Sequence, residues 1–199
     1  MNMKAQVLFS GGKDSSLSAI LLDPFFDVEL VTCSFSVLPV GEIAKVAANE
    51  LGYSHRVLEL DKGILESALD IIIEDGYPRN AINYIHRIVI ETLAREGDVS
   101  LIADGVRRDD RVPKLTDAEV RSIEDRFGVD YVCPLQGYGR SAVNKLVSRY
   151  LVIEEGQSDS IAKADYETEL RELIRQQYGD DKVLEIFPEH VQSRVIGRV

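Results

Sequence analysis

Val7-Leu8-Phe9-Ser10-Gly11-Gly12-Lys13-Asp14-Ser15-Ser16 is the stretch on which the reading of this chain turns. Three apolar side chains run into a serine and two adjacent glycines, followed by a lysine, an aspartate and two more serines. An ordinary strand-to-helix turn needs one or two breakers, so turn geometry alone does not ask for these hydroxyls and charges. Leu17, Ile20 and Leu21 follow at helical spacing, and the stretch reads as strand, glycine turn, helix. Small residues let backbone N–H groups approach an anion, and the helix that follows adds its partial positive N-terminus. The loop is a candidate cradle for phosphate or pyrophosphate.

Outward from the loop, strand and helix patterns keep alternating. Residues 28–35 are rich in β-branched side chains, and Ile43, Val46, Ala47 and Leu51 form a helical stripe that stops at Gly52. Residues 54–60 predict a third strand, 64–73 a helix broken at Gly76-Tyr77-Pro78, and 80–95 another helix. Residues 99–103 and 130–133 predict the fourth and fifth strands. Between them, Thr116 and Glu119 have the spacing of a capping box, so a helix should begin there. Val143, Leu146, Val147 and Tyr150 mark a further buried stripe, and residues 162–178 a last helix with Tyr166, Leu170, Leu173 and Ile174 inward. The final eleven residues have no period and predict no element. Strands that read as near-continuous apolar runs belong in a parallel sheet covered on both faces. The expected fold is three-layer α/β/α around a mostly parallel five-stranded sheet, with residues 1–155 as the main unit and 156–199 as a helical extension packed on it. Ligands of such sheets bind beyond the carboxyl ends of the strands.

Composition narrows the classes. Hydrophobic residues at 45% and charged residues at 29% suit a globular chain of 199 residues and not a disordered one. No apolar run approaches the roughly 18 residues of a bilayer span, and the glycines arrive before a signal-peptide core could form, so the expectation is a cytoplasmic protein without a membrane. Cys33 and Cys133 are far apart and unaccompanied, which points to reduced thiols and to neither a disulfide framework nor a zinc ribbon. A net charge of −11, from 23 Lys+Arg against 34 Asp+Glu, disfavours a general nucleic-acid binder. Locally the balance changes: Arg140, Lys145 and Arg149 stand in residues 140–150 without an acid.

The loop does not match G-x-x-x-x-G-K-[ST] or G-x-G-x-x-G, the two better-known phosphate motifs. Over six residues, Ser10-Gly11-Gly12-Lys13-Asp14-Ser15, it resembles the SGGxDS loop of the ATP pyrophosphatase, or PP-loop, superfamily, and is similar more broadly to the adenine nucleotide alpha hydrolase-like (HUP, Rossmann-like) proteins. That resemblance implies binding of ATP with Mg2+, cleavage between the α- and β-phosphates, adenylation of an acceptor oxygen with release of pyrophosphate, and displacement of AMP by a nitrogen or sulfur nucleophile. By the same resemblance Ser10, Gly11, Gly12, Ser15 and Ser16 hold the pyrophosphate, Lys13 takes part in catalysis, Asp14 holds magnesium, and Phe35 walls the adenine. A plain helix-dipole role for Asp14 stays open.

The loop after the fourth strand, residues 104–114, offers Gly105 to the nucleotide, Asp104, Asp109 and Asp110 to the same hard cation as Asp14, and Arg107 and Arg108 to transferring phosphoryl charge. Its alternative is a solvated loop of paired charges. Arg140 opens the helix after the fifth strand, where it could face the first loop, while Lys145 and Arg149 suit a solvated helix face. Cys133 is either a buried hydrophobe or a pocket thiol, and His86 either a core histidine or a pocket residue.

Three functions compete. The acidic balance favours an enzyme adenylating a small-molecule acceptor, with ammonia or sulfur arriving free or from a donor protein. A thiolation-type enzyme acting on tRNA would use Arg140, Lys145, Arg149, Arg194 and Arg198 as a backbone-contacting patch. A regulatory module would bind ATP or AMP without turnover. The resemblance also allows a homodimer.

Overall fold

A computed structural model of the chain describes residues 3–97, 99–157, 160–161, 163–188 and 190–199. Five strands form one parallel sheet: β1 (Met3–Leu8), β2 (Phe26–Ser34), β3 (Ser54–Glu59), β4 (Leu101–Ala103) and β5 (Asp130–Val132), in the order β3-β2-β1-β4-β5. The order reverses between β1 and β4, so the crevice where α/β sheets bind ligands opens beyond those two strands. In register, Ala5 pairs with both Val28 and Leu101.

The period of two along these strands sorts side chains to two cores. Ala5, Val7, Leu30, Leu101 and Ala103 face α1 (Lys13–Leu22), α2 (Val40–Leu51) and α6 (Arg140–Tyr150). Leu8, Val31, Leu58 and Ile102 face the opposite layer of α3 (Lys62–Asp75), α4 (Arg79–Glu96) and α5 (Asp117–Phe127). This is the three-layer α/β/α arrangement expected, with the predicted capping box of Thr116 and Glu119 in place at the start of α5. No helix among the described residues is long and apolar enough to cross a membrane.

The C-terminal part departs from the expected helical extension. Helices α7 (Tyr166–Tyr178) and α8 (Asp180–Ile186) are followed by a strand, β7 (Val191–Arg198), which pairs antiparallel with β6 (Leu151–Gln157). The expected boundary at 155/156 thus falls inside β6. β7 lies against α1 and α2, while α7 packs on α3 and α4, so the extension straddles both layers. Neither strand was legible because Gly156 and Gly197 and the alternating charges mask a period-two pattern exposed on one side.

One buried carboxylate ties the extension to the sheet. Glu169 of α7, 1% exposed, accepts the N–H groups of Phe35 (3.0 Å), Val37 (3.0 Å) and Leu38 (3.3 Å), where the chain turns after β2 with Ser36 at φ +59. Burial pushes its carboxyl above the usual range against the pull of these donors. Glu169→Ala strands three N–H groups and should cost about 3 kcal/mol in urea unfolding. Glu169→Gln, which keeps one acceptor oxygen, should recover part of that loss, and equal stability of all three proteins would contradict the role.

Candidate active site

The loop between β1 and α1 is held from behind by its own carbonyls. Ala164 N–H donates to Ser10 O at 3.1 Å and Val195 N–H to Gly11 O at 3.0 Å, so segments from the C-terminal part clamp the loop. Gly11 takes φ +75, which an L side chain rarely adopts. With the carbonyls turned back, the N–H side faces out. Gly12 is the N-cap of α1 and no side chain caps it, so the positive end of the helix stays open to a ligand.

The serines divide the work. Ser15 Oγ lies 3.4 Å from Ser10 N and donates to Gly12 O at 3.2 Å, at the edge of the crevice. Ser10 Oγ lies 3.4 Å from Gly12 N. Ser16 is fully buried and its hydroxyl donates to Gly12 O at 2.8 Å, one helical turn back. The expectation that Ser16 holds phosphate is corrected by this bond: the side chain is spent inside α1. Lys13 runs along the protein to Glu155 of β6, 3.3 Å from its carboxylate. Lys163 stands on the other side, where a Cβ added to Gly12 would meet its Cε at 3.5 Å and Nζ at 3.6 Å.

Gly105 abuts this loop directly. An added Cβ would sit 2.6 Å from Ser15 N and 2.9 Å from the Asp14 carbonyl carbon, so only glycine allows the β4 loop to approach the first turn of α1. Beside it, Asp104 is buried and accepts from Val106 N–H (2.9 Å) and Tyr131 Oη, with His86 Nε2 at 3.1 Å. His86 Nδ1 reaches Tyr166 Oη at 3.3 Å, and Cys133 Sγ reaches Tyr131 Oη at 3.5 Å. His86 is thus a satisfied core histidine that also lines the crevice floor. Burial, with the Asp104 charge nearby, pushes the Cys133 thiol to about 12, so it stays protonated at neutral pH.

The carboxylates expected to share a cation do not converge on one: Asp104 is taken up by Val106, Tyr131 and His86, and Asp14, Asp109 and Asp110 surround a side chain instead. The Arg107 guanidinium occupies the space between them: Nε is 3.6 Å from Asp14 Oδ2, 3.8 Å from Asp109 Oδ1 and 3.1 Å from Asp110 Oδ1. Asp110 is further tied by the Arg107 N–H at 2.8 Å, and Asp109 accepts from Arg140 N–H at 2.9 Å, capping α6. Among the described residues no group of three or more His, Cys, Asp or Glu could hold a metal ion. Asp14 differs from the other two. Its Oδ1 is buried without a partner, and burial pushes its carboxyl up while Arg107 and Lys13 pull it back. An orphaned carboxylate oxygen fits one ligand of a hard cation whose other ligands are phosphate oxygens and water.

Two further expectations are revised. Phe35, 1% exposed, is a core side chain among Val31, Leu58 and Leu65, because Glu169 folds the chain back after β2. The crevice is walled instead by Leu8, Phe9, Val31 and Ile82, around a cavity of about 240 Å3 that reaches Asp14 and Ser15. Arg140 is exposed and enters no crevice wall; Arg108, also exposed, points to Gly137 O at 3.5 Å. Ser10, Gly11, Gly12, Lys13, Asp14, Ser15 and Gly105 are brought together. Lys163, Tyr131 and Tyr166 were not singled out for the site by sequence, since each comes from an element distant in the chain.

The chain matches DUF7411, a family of unknown function, over residues 3–197 and belongs to that family. It is 44% identical over 196 residues to the uncharacterized protein MJ0690 of Methanocaldococcus jannaschii, covering 98% of this chain and 96% of that one. A crystal structure from the same organism, described as a predicted subunit of tRNA methyltransferase, superposes with a TM-score of 0.90 at 43% identity, covering 98% of each chain. The tRNA-specific 2-thiouridylase MnmA of Syntrophomonas wolfei is 27% identical over 200 residues, across 87% of this chain and 58% of the enzyme. The U34-tRNA thiolase NcsA of Methanococcus maripaludis, with its [4Fe-4S] cluster, shares the fold at a TM-score of 0.51 and 19% identity, across 74% of this chain and 57% of that one.

Two substitutions test this geometry. Gly105→Ala forces a methyl onto the Asp14–Ser15 backbone and should destabilise by about 1–3 kcal/mol, read as a lowered urea midpoint; an unchanged midpoint would mean the two loops are not in contact. Asp14 is an acid whose folded pKa exceeds its usual 3.8, so at neutral pH its charge costs stability. That cost grows as pH rises through the window above 3.8 and vanishes below it. Asp14→Asn should therefore melt above the wild type at pH 7, with the difference closing as the pH is lowered through the usual carboxylate range.

Proposed function

We propose that this member of the DUF7411 family is a PP-loop enzyme of tRNA modification, which binds ATP at the loop of residues 10–15 and adenylates an acceptor oxygen on RNA. The observation that carries the nucleotide reading is the β1–α1 loop itself: an uncapped helix N-terminus, clamped so that its N–H side faces a crevice at the switch point of the sheet, with an unpartnered Asp14 oxygen beside it. The RNA reading is favoured over a small-molecule acceptor by the relatives, several of which carry tRNA modification in their names.

The chemistry balances as follows. A lone pair of the acceptor oxygen forms a bond to the α-phosphorus, the bond from that phosphorus to the bridging oxygen breaks, and pyrophosphate leaves. A nitrogen or sulfur nucleophile then attacks the activated carbon and AMP departs. The loop N–H groups and the hydroxyls of Ser10 and Ser15 hold the leaving pyrophosphate, and Lys13 and Lys163 offset its charge from either side. Asp14, anchored by Arg107, would supply a carboxylate oxygen to a magnesium ion bound with the nucleotide, whose charge would screen the phosphates. A [4Fe-4S] cluster held by four thiolates does not fit the cysteines of this chain: Cys33 lies in β2 and Cys133 just after β5, three strand spacings or roughly 14 Å apart.

Calorimetry with a non-hydrolysable ATP analogue and magnesium should register binding to the wild type, weakened at least tenfold by Gly12→Val, which crowds Ser10 Oγ and Lys163. Incubation with ATP and unmodified tRNA should release AMP and pyrophosphate. Absence of binding heat would end the nucleotide reading; ADP and phosphate as products would end the adenylation; binding without any product would leave a regulatory ATP module.

A further inference from the structure

A second hollow adjoins the nucleotide crevice and has a different character. It measures about 850 Å3 and lies beyond the carboxyl ends of β4 and β5, walled by the 106–115 segment, the start of α5 and residues 131–136. The two hollows share Val106 and Pro113, so one thin wall separates the sheet's switch point from this groove. Among its lining residues are four cations, Arg107, Arg108, Lys114 and Arg121, against one acid, Asp117. In a chain of net charge −11 that is a local inversion of sign.

Three of the four cations are not consumed by ion pairs within 4.0 Å of a described carboxylate. Arg107 is committed to Asp14, Asp109 and Asp110. For Arg108, Lys114 and Arg121, no described carboxylate lies within salt-bridge distance of the side-chain charge: Arg108 contacts a carbonyl at 3.5 Å, and Arg121 Nε donates to the Asp117 carbonyl at 3.1 Å. Lys114 is fixed through its backbone, whose N–H donates to Asn83 Oδ1 at 2.9 Å, leaving the ammonium exposed. The Arg108 charge still acts on the exposed Asp109 carboxylate from a longer range. Exposed cations that form no close ion pair, spread around an open groove, suit a run of phosphates better than one compact anion, which would need them converging and buried.

We infer that this groove, through Arg108, Lys114 and Arg121, holds the phosphate backbone of an RNA strand whose reacting nucleotide enters the nucleotide crevice past Val106 and Pro113. The inference rests on the proposed tRNA-modifying function and locates its second substrate. Placing RNA at β4–β5 and ATP at β1–β4 brings both onto the same edge of the sheet, which a transfer between them requires. The patch expected from sequence, on Arg140, Lys145, Arg149, Arg194 and Arg198, is a distinct surface: none of its residues lines the groove, and Arg194 and Arg198 stand within 4.0 Å of Glu154 and Asp23.

The test compares binding of an unmodified tRNA transcript to the full chain, to Lys114→Glu/Arg121→Glu and to Lys145→Glu/Arg149→Glu, each over a range of salt concentrations. The groove variant should bind at least tenfold more weakly at 0.1 M salt and lose about 1.4–1.8 from the slope of log K against log salt, since each of the two phosphate contacts contributes roughly 0.7–0.9. It should keep wild-type affinity for the ATP analogue, which also reports that it is folded. Undiminished tRNA binding with an unchanged slope would overturn the groove assignment alone. Loss confined to the α6 variant would move the RNA to the other patch and likewise overturn it. Weakened binding of inorganic pyrophosphate but not of tRNA would make the groove a small-anion site and overturn it too. If the wild type binds the ATP analogue but no tRNA at low salt, the RNA part of the function falls together with the groove.

Discussion

Everything at the candidate site depends on the approach of Gly105 to the first turn of α1. With a hypothetical Cβ only 2.6 Å from Ser15 N, the β4 loop can touch the helix N-terminus only as bare backbone. That contact sets the width of the crevice, because β1 and β4 are the strands between which the order reverses. From the other side, Ala164 and Val195 take up the Ser10 and Gly11 carbonyls. A loop gripped on its carbonyl side has its N–H groups directed outward before any anion arrives, so little reorganisation opposes binding.

That arrangement also explains why the C-terminal part is more than an appendage. β7 supplies the Val195 N–H to the loop, the segment before α7 supplies Ala164 and Lys163, and α7 supplies Glu169 to the turn after β2. Each of these contacts lies between residues more than 130 apart in the chain. Loop conformation and overall stability are therefore coupled: loosening β6–β7 removes a carbonyl anchor at the phosphate loop, and loosening α7 frees the chain that follows β2.

The parts of the fold written in short-range patterns were legible in the sequence. The strand-turn-helix at 7–22, the capping box at Thr116 and the apolar strands all follow from spacing within a few residues. The parts that failed depend on long-range partners. Phe35 looked like a pocket aromatic because it follows a strand, and only Glu169 turns it inward. Asp109 and Asp110 looked like metal ligands because carboxylates cluster in that loop. Composition could not say that Arg107 would fold back among them. Ser16 directly follows the motif, and its hydroxyl and that of Ser15 both donate to Gly12 O; the difference is that Ser15 lines the crevice and meets Ser10 N, while one step around the helix Ser16 is fully buried.

Net charge is a sum over the whole chain, whereas a bound anion responds over a shorter range. At physiological salt the Debye length is about 8 Å, so a phosphate in a groove responds to the charges around it and hardly to acids on the far side of the molecule. Several of the acids stand on elements that do not line the groove: Glu154 and Glu155 on β6, Glu172, Asp180 and Asp181 on α7 and α8, and Asp70, Glu74 and Asp75 on α3. Acid that pairs locally, as in Glu172 with Arg175, is neutralised at source. The local sign around the β4–β5 hollow therefore differs from that of the chain as a whole, and the proposed seat for a phosphate backbone rests on that local difference rather than on the net charge.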